Sequence, residues 1–241
     1  LSSARNFNHV GFGLGQTVPI TEQVTRPDGT RVYETPDGRR YPSVTTVLSE
    51  HGREAIEAWK KRIGAEEAAK IGHRAATRGT RLHSYTESYL KNEPIDFGLN
   101  IFTQELFNTF RPVLDPINNI HCQETRMFSH HLRLAGTADC IAEYNGVLSV
   151  IDFKTASRSK QHDWIHSYFM QCSAYAVMYE EMTGIPVPQL VILIAVEDRD
   201  PQVFVEKRNS WVPGLLKYRD LYEHTYNSGN DKWKILTAGK E

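Results

Sequence analysis

Gly136-Thr137-Ala138-Asp139-Cys140-Ile141-Ala142-Glu143-Tyr144-Asn145-Gly146-Val147-Leu148-Ser149-Val150-Ile151-Asp152-Phe153-Lys154-Thr155 is the stretch whose reading decides the fold. Asn-Gly between two apolar runs is a strong hairpin signal, because both residues accept positive φ in a type I′ turn. A two-residue loop fixes the register. Tyr144 opposes Val147, Ile141 opposes Val150, and Asp139 opposes Asp152. Lys154 lies two residues beyond Asp152 and shares its face. Directly opposed side chains have Cβ atoms roughly 4.5–5.5 Å apart, where like charges repel. The neighbours Leu148, Val150, Ile151 and Phe153 are apolar, so these acids interrupt a largely buried strand. Uncompensated charge is expensive there, which points to a cation between the carboxylates.

Outward from the hairpin, the chain reads as an ordered series of elements. Residues 1–30 are polar and Gly-rich without periodicity, and Gly11, Gly13 and Gly15 have no flanking strand and helix to make a dinucleotide loop. Arg31 to Tyr41 reads as a hairpin around Thr-Pro-Asp-Gly. Ser43 is a candidate N-cap for a short helix through Leu48. A helical stretch from Glu54 to about Lys91 is expected to break near Gly64, Gly72 and Gly79. Phe102 to Leu114 is a further helix, stopped by Pro116. Strands follow over 120–128, 138–144 and 147–153, then a helix over 164–182 ended by Gly184. An apolar strand over 189–196, a turn at 198–201, an alternating strand over 202–206 and a helix over 212–226 complete the series, and the tail after Ser228 reads as loose. This order implies an α/β domain around a mixed sheet flanked by helices, with an N-terminal helical extension.

The chain has 241 residues, 40% hydrophobic and 24% charged, an ordinary globular composition. No run approaches the roughly 18 apolar residues of a membrane helix. Three widely spaced cysteines, Cys122, Cys140 and Cys172, argue against a disulfide framework or a zinc ribbon and favour a reducing compartment. The formal net charge of −1 does not announce a nucleic-acid partner. The charge is uneven, however. Arg53 to Leu82 carries Arg53, Lys60, Lys61, Arg62, Lys70, Arg74, Arg78 and Arg81 against four glutamates, a local excess suited either to a solvated helix face or to a phosphate backbone.

Two further groups of residues bear on chemistry. His83 and Glu87 are i and i+4 on one helix face, with Arg78 and Arg81 just upstream. Gln171 and Tyr175 have the same spacing on the helix that follows the Lys154 strand and packs back on the sheet. Trp59, Tyr85 and Tyr89 sit among or beyond the basic residues; the expected place for such aromatics on amphipathic helices is the core, with base stacking the alternative.

As a set these residues resemble the PD-(D/E)xK nuclease superfamily, and within it the RecB-like exonucleases. The resemblance rests on Gly136-Thr137-Ala138-Asp139, Ile151-Asp152-Phe153-Lys154-Thr155, Gln171-x-x-x-Tyr175 and Arg78-Gly79-Thr80-Arg81-Leu82-His83. Tyr41-Pro42-Ser43-Val44-Thr45-Thr46-Val47-Leu48 is also similar to the start of the mitochondrial genome maintenance exonucleases and their phage relatives. The resemblance implies a restriction-endonuclease-like core in a single nuclease domain: an extension and hairpin (1–40), a helical region (41–115), the nuclease core (116–227) and a tail (228–241). It implies that His83, Asp139, Asp152 and the Phe153 carbonyl ligate Mg²⁺ or Mn²⁺. Lys154 would be the catalytic lysine, steadied with the scissile strand by Gln171 and Tyr175. Arg78, Arg81, Ser43, Thr45 and Thr155 would contact substrate, and Glu124 and Glu87 would be acids standing behind the ligands. Ala138 departs from the proline that usually precedes the first acid.

The implied activity is metal-dependent exonuclease cleavage of single-stranded DNA ends in replication, recombination or repair, with replication or recombination proteins as partners. No membrane partner and no nucleotide cofactor is expected, since no GxxxxGK[ST] loop is present. The alternatives are a structure-specific endonuclease of the same superfamily and a non-cleaving nucleic-acid-binding module on a nuclease fold. The expected location is the cytoplasm of a bacterium or phage-infected host, or the mitochondrion if a targeting segment is missing before Leu1.

Overall fold

A computed structural model describes residues 5–19, 21–25, 31–49 and 52–227. Expectations for the tail after Ser228 lie outside those residues. The first 42 residues are less featureless than their composition suggests. A 3-10 turn (Phe12–Leu14) is followed by β1 (Glu22–Thr25), β2 (Arg31–Glu34) and β3 (Arg40–Pro42). These strands form a small antiparallel sheet in the order β1-β2-β3. The expected hairpin is its second half, with Glu34 opposite Arg40. Its first strand has no apolar alternation, since every residue of β1 is exposed. The N-terminal region is therefore a small sheet, in which β1 adds a strand to the expected hairpin, followed by helices.

Ser43 caps α1 (Val44–Ser49): its Oγ accepts the Thr46 backbone N–H at 3.0 Å. Helices α2 (Arg53–Ile63), α3 (Ala65–Leu90) and α4 (Ile101–Leu114) follow. The chain breaks at Gly64, whose φ of 89° suits glycine. It does not break at Gly72 or Gly79, which lie inside the continuous 26-residue α3. A glycine inside a helix costs about 1 kcal/mol relative to alanine. Burial of Leu82, Tyr85 and Leu90 along the same helix offsets that cost.

The central sheet comprises β4 (Ile117–Ser129), β5 (Leu134–Tyr144), β6 (Val147–Ala156), β7 (Gln189–Val196) and β8 (Gln202–Lys207), in that spatial order. Neighbours are antiparallel except β6 and β7, which run parallel. The crossover between those two is α5 (His166–Thr183), and α6 (Val212–Asn227) closes the described fold. The mixed α/β sheet flanked by helices is the expected class. Asn145 (φ 51°) and Gly146 (φ 78°) turn the β5–β6 hairpin, and Tyr144 pairs with Val147 and Ile141 with Val150, as the loop length requires.

Alternation along β7 sends Leu190, Ile192 and Ile194 toward one face and Val191, Leu193 and Ala195 toward the other. The first set packs with Phe169, Cys172, Ala176 and Tyr179 of α5. The second packs with Leu82 and Leu90 of α3 and Phe107, Phe110 and Leu114 of α4. A sheet covered on both sides explains why β7 reads as an unbroken apolar run. Two helical layers thus meet at β6, the strand that carries Asp152 and Lys154.

Candidate active site

The β5–β6 ladder stops at Cys140↔Ile151, one pair short of Asp139 and Asp152. The Phe153 N–H, which a longer ladder would pair with Ala138, donates instead to Asp139 Oδ2 at 2.9 Å. The alternation of β5 changes phase at the same place. Ala138 packs in the α5 cluster, whereas Cys140 packs in the α3–α4 cluster. On β4, Gln123 pairs with Cys140 and Thr125 with Ala138, which leaves Glu124 opposite Asp139 with no ladder pairing. Glu124 has φ 45°, a left-handed backbone that costs a non-glycine residue energy and clusters at functional sites. Three acids on three adjacent strands, Glu124, Asp139 and Asp152, thus stand where the sheet opens.

His83 reaches this row from α3. Its Nε2–H donates to the Phe153 carbonyl at 2.8 Å, which fixes the ring. Its Nδ1 faces Glu124 Oε1 at 3.7 Å and Asp139 Oδ2 at 3.8 Å. Those three ligand atoms lie within 4.8 Å of one another. From the other layer, Gln171 Nε2 donates to Asp152 Oδ1 at 3.2 Å and to Tyr175 Oη at 3.5 Å. Tyr175 lies against Gly136, where a Cβ would come within 2.8 Å of its ring. Gly136 is thus the residue that lets β5 accept this tyrosine.

Lys154 Nζ lies 2.5 Å from Asp152 Oδ2 and 5.1 Å from the centre of the Tyr168 ring. Tyr168 was not anticipated, although it stands one helical turn before Gln171 on the same face. Asp152 is 1% exposed, and its Oδ2 is buried against the Lys154 ammonium.

The electrostatics are those of a crowded, half-dry cluster. Burial pushes Asp152 up to about 6; Lys154 opposes that shift and the Asp139 charge adds to it. Burial also raises Asp139, against the pull of Lys154 and His83. For Lys154, burial works against the ammonium, but the two aspartates outweigh it and raise it above the ordinary lysine value. Burial likewise opposes charge on His83, yet Glu124 and Asp139 raise it to about 9. A cation among these oxygens would relieve the repulsion between carboxylates. The residues fit a divalent ion on that ground: carboxylate oxygens of Glu124 and Asp139 and one imidazole nitrogen of His83 converge, with the Asp152 carboxylate beside them, an oxygen-rich donor set that suits a hard divalent cation.

The other residues singled out in the sequence divide. Arg81 lines a cleft of about 1100 Å³ between α3, the start of α4 and the β7–β8 turn, together with Arg74, Arg78, Phe102 and Asp198. That cleft flanks the acids rather than containing them. Arg78 forms an ion pair with Glu197, while its Nε is buried without a partner. Thr155 Oγ1 lies 3.9 Å from the position of a Cβ on Gly79, between β6 and α3. Ser43 is 2% exposed and its hydroxyl is engaged with Thr45 and Thr46, so it is not free for substrate. Glu87 pairs with Lys91 at 2.5 Å. Tyr85 and Tyr89 pack around Phe107 and hydrogen-bond Phe97 and Asp115, a core role rather than a stacking platform, and Trp59 is half-buried.

A family model described as the PD-(D/E)XK nuclease superfamily matches residues 31–227, and the chain belongs to that superfamily. Among curated relatives, mitochondrial genome maintenance exonuclease 1 of Homo sapiens is 25% identical over 170 residues, covering 58% of this chain and 49% of the relative. The protein of that name from Xenopus tropicalis is 26% identical over 210 residues, covering 76% of this chain and 58% of the relative. The chain spans about half the length of the curated relatives it matches. A solved structure from Eubacterium rectale, provisionally described as an exonuclease, has a TM-score of 0.44 at 14% identity, covering 69% of this chain and 76% of that one. Among the described residues no helix is long and apolar enough to cross a membrane.

Proposed function

We propose that this protein is a divalent-metal-dependent DNA exonuclease acting on single-stranded ends, in a single nuclease domain, in replication, recombination or repair. The observation that carries the reading is the convergence of Asp139, Glu124 and His83 within 4.8 Å, beside the buried ion pair of Asp152 with Lys154. In a nuclease superfamily member, such a cluster supports phosphodiester hydrolysis. The names of the curated relatives support the choice of exonuclease.

Asp139, Asp152 and the Nδ1 of His83 would hold Mg²⁺ or Mn²⁺, with Glu124 as a further oxygen. The Phe153 carbonyl keeps the histidine ring in place and would be a further oxygen for the ion. When bound, the ion supplies acidified water and a counter-charge for the phosphoryl oxygens. Lys154 stays an ammonium at neutral pH and so stabilises negative charge on phosphorus rather than accepting a proton. Tyr168 and Asp152 hold its Nζ in place. Gln171 keeps Asp152 oriented and is itself in reach of Tyr175 Oη. Arg81, and Arg78 where its guanidinium reaches the cleft beside Glu197, would meet phosphates of the incoming strand, with Thr155 beside them; Thr45 is a candidate contact at the start of α1.

The test is a time course on end-labelled single- and double-stranded oligonucleotides, with and without Mg²⁺ or Mn²⁺, with Lys154→Ala as control. Mononucleotides or short oligonucleotides released from single-stranded ends in a metal-dependent way support the reading. Nicking of closed circular DNA identifies an endonuclease instead. Binding without cleavage under every metal condition identifies a non-cleaving module.

A further inference from the structure

A second group of metal-capable side chains lies outside the row of acids. His162 belongs to a 3-10 turn (His162–Trp164), and His166 begins α5 four residues later. Asp163 Oδ1 is 3.6 Å from His162 Nδ1 and 3.7 Å from His166 Nε2, and the three atoms lie within 4.8 Å of one another. Ligands about 2.0–2.1 Å from a tetrahedral centre stand roughly 3.3–3.4 Å apart. The two distances to Asp163 are therefore a few tenths of an ångström from that spacing, the two imidazoles are no more than 4.8 Å apart, and all three residues are exposed.

The other nitrogen of His162 is held from behind. Its Nε2 lies 2.7 Å from Glu206 Oε1 on β8. A carboxylate on the far nitrogen is the arrangement that orients a metal-binding imidazole and raises its basicity. We infer that His162, Asp163 and His166 form a surface site for a borderline transition-metal ion, Zn²⁺ or a close analogue, with Glu206 as the positioning carboxylate.

The donor set separates this site from the acid row. Two imidazoles and one carboxylate suit Zn²⁺, whereas Mg²⁺ prefers oxygen ligands and retains its water. Three protein ligands leave the fourth tetrahedral position to water. Asp163 and Glu206 together outweigh the positive end of the α5 dipole. The ion would tie the 3-10 turn to the first turn of α5 and, through Glu206, to β8. That segment joins the strand carrying Lys154 to the helix carrying Gln171 and Tyr175. The site is thus a clasp on the connection between two halves of the acid cluster and takes no part in the bond-breaking step.

Trp211 supplies a reporter, since its ring lies 4.8 Å from that of His166 and 6.0 Å from that of His162. The experiment uses the full chain, freed of metal by chelation, with Zn²⁺ and Co²⁺ as probes. To keep the acid row from contributing, both are titrated into an Asp139→Asn, Asp152→Asn background as well as the wild type. Zn²⁺ binding with one-to-one stoichiometry in that background, tetrahedral visible bands for Co²⁺, and Co²⁺ quenching of fluorescence that disappears in Trp211→Phe are expected. His166→Ala should abolish these signals, and Glu206→Gln should weaken Zn²⁺ binding about 10–100-fold. Stoichiometry and affinity unchanged by His166→Ala, or an octahedral Co²⁺ spectrum, overturns the site. The outcome does not depend on whether the chain cleaves DNA.

Discussion

The two histidine–carboxylate clusters of this fold differ chiefly in their exposure to water. The row of Glu124, Asp139, Asp152 and His83 sits where β5 and β6 part between two helical layers, and Asp152 is 1% exposed. His162, Asp163 and His166 stand in solvent, where their charges are screened. In the first cluster, charge is held against burial by Lys154 and by hydrogen bonds from Gln171 and the Phe153 N–H. Removing one member should therefore disturb folding as well as chemistry. In the second, each residue can be removed with little effect on the fold. Buried clusters couple function to stability, and surface clusters do not.

The largest expected effect comes from breaking the buried ion pair. On the proposed function, Lys154→Met should lower cleavage by about 10²–10³-fold or more, since it would remove the ammonium assigned to offset phosphoryl charge. It also leaves Asp152 and Asp139 without their nearest cation. Breaking a buried pair from one side is strongly destabilising, here of order 3 kcal/mol because Lys154 retains some solvent contact. The loss should shrink in acid. Asp152 already titrates near pH 6, and without the lysine its value rises further, so the proton that neutralises it binds at higher pH. Urea denaturation at pH 7.5 and pH 5.5 checks this; equal losses at both values would refute the coupling. His166→Ala, by contrast, should leave metal-free stability within about 0.5 kcal/mol of wild type.

Divalent ions sharpen the contrast. Mg²⁺ or Mn²⁺ at about one hundred times its dissociation constant should raise the unfolding free energy by about 2.7 kcal/mol, because only the folded row can hold it. Asp139→Asn should abolish that gain and His166→Ala should preserve it. A thermal-shift series over Mn²⁺ concentration distinguishes the two, and a gain that survives Asp139→Asn would place the ion elsewhere.

A smaller effect probes the packing behind the row. Gly136→Ala would set a methyl group within 2.8 Å of the Tyr175 ring, and overpacking of this kind costs about 1–3 kcal/mol. Because Tyr175 neighbours Gln171, and Gln171 donates to Asp152, cleavage should fall together with stability. Denaturation and rate measured on one preparation would show it. Full activity in a variant destabilised by this amount would mean that Tyr175 packs but does not position.

The same contrast explains what the sequence discloses. The hairpin register follows from Asn145-Gly146, and Asp152 and Lys154 stand out because they interrupt an apolar strand. Helix α5 and strand β7 are legible for similar reasons, the one from Gly184 and the other from its unbroken apolar run. The standing of Glu124 is hidden, because the connection from Ser129 to Leu134 carries no Asn-Gly signal to fix the register of β4 on β5, and nothing local announces the left-handed backbone at Glu124. That His83 meets Asp139 is a tertiary fact of α3 lying across β6, with no local signal. Strand β1 is unreadable because none of its side chains is buried. Gly72 and Gly79 mislead because packing overrides their local preference. His162 and His166 have metal-like spacing, but nothing in the chain places Glu206 behind them.

His121 extends the comparison to a histidine that is buried with no carboxylate hydrogen-bonded to its ring. Its Nδ1 is 2.6 Å from Tyr179 Oη, which in turn accepts the Gly13 N–H at 3.1 Å. The Tyr179 hydroxyl hydrogen is free to donate to Nδ1 of a neutral ring, the form that burial favours. Burial lowers the pKa of His121 below the ordinary 6.5, and the distant Glu143 charge offsets this only in part. The sign follows from linkage: below about pH 6.5 the unfolded chain takes up this proton before the folded one does. The stability contributed by His121 is complete above that pH and declines as the pH falls toward the folded value. His83 should do the opposite in metal-free protein and hold its proton to about pH 9. Histidine titrations followed by NMR, assigned with His121→Gln and His83→Gln, should thus place one ring below 6.5 and the other well above it. If His121 titrated at or above 6.5, burial would not be what sets its charge, and the ring would have to reach solvent or a carboxylate that its place between β4 and α5 does not offer.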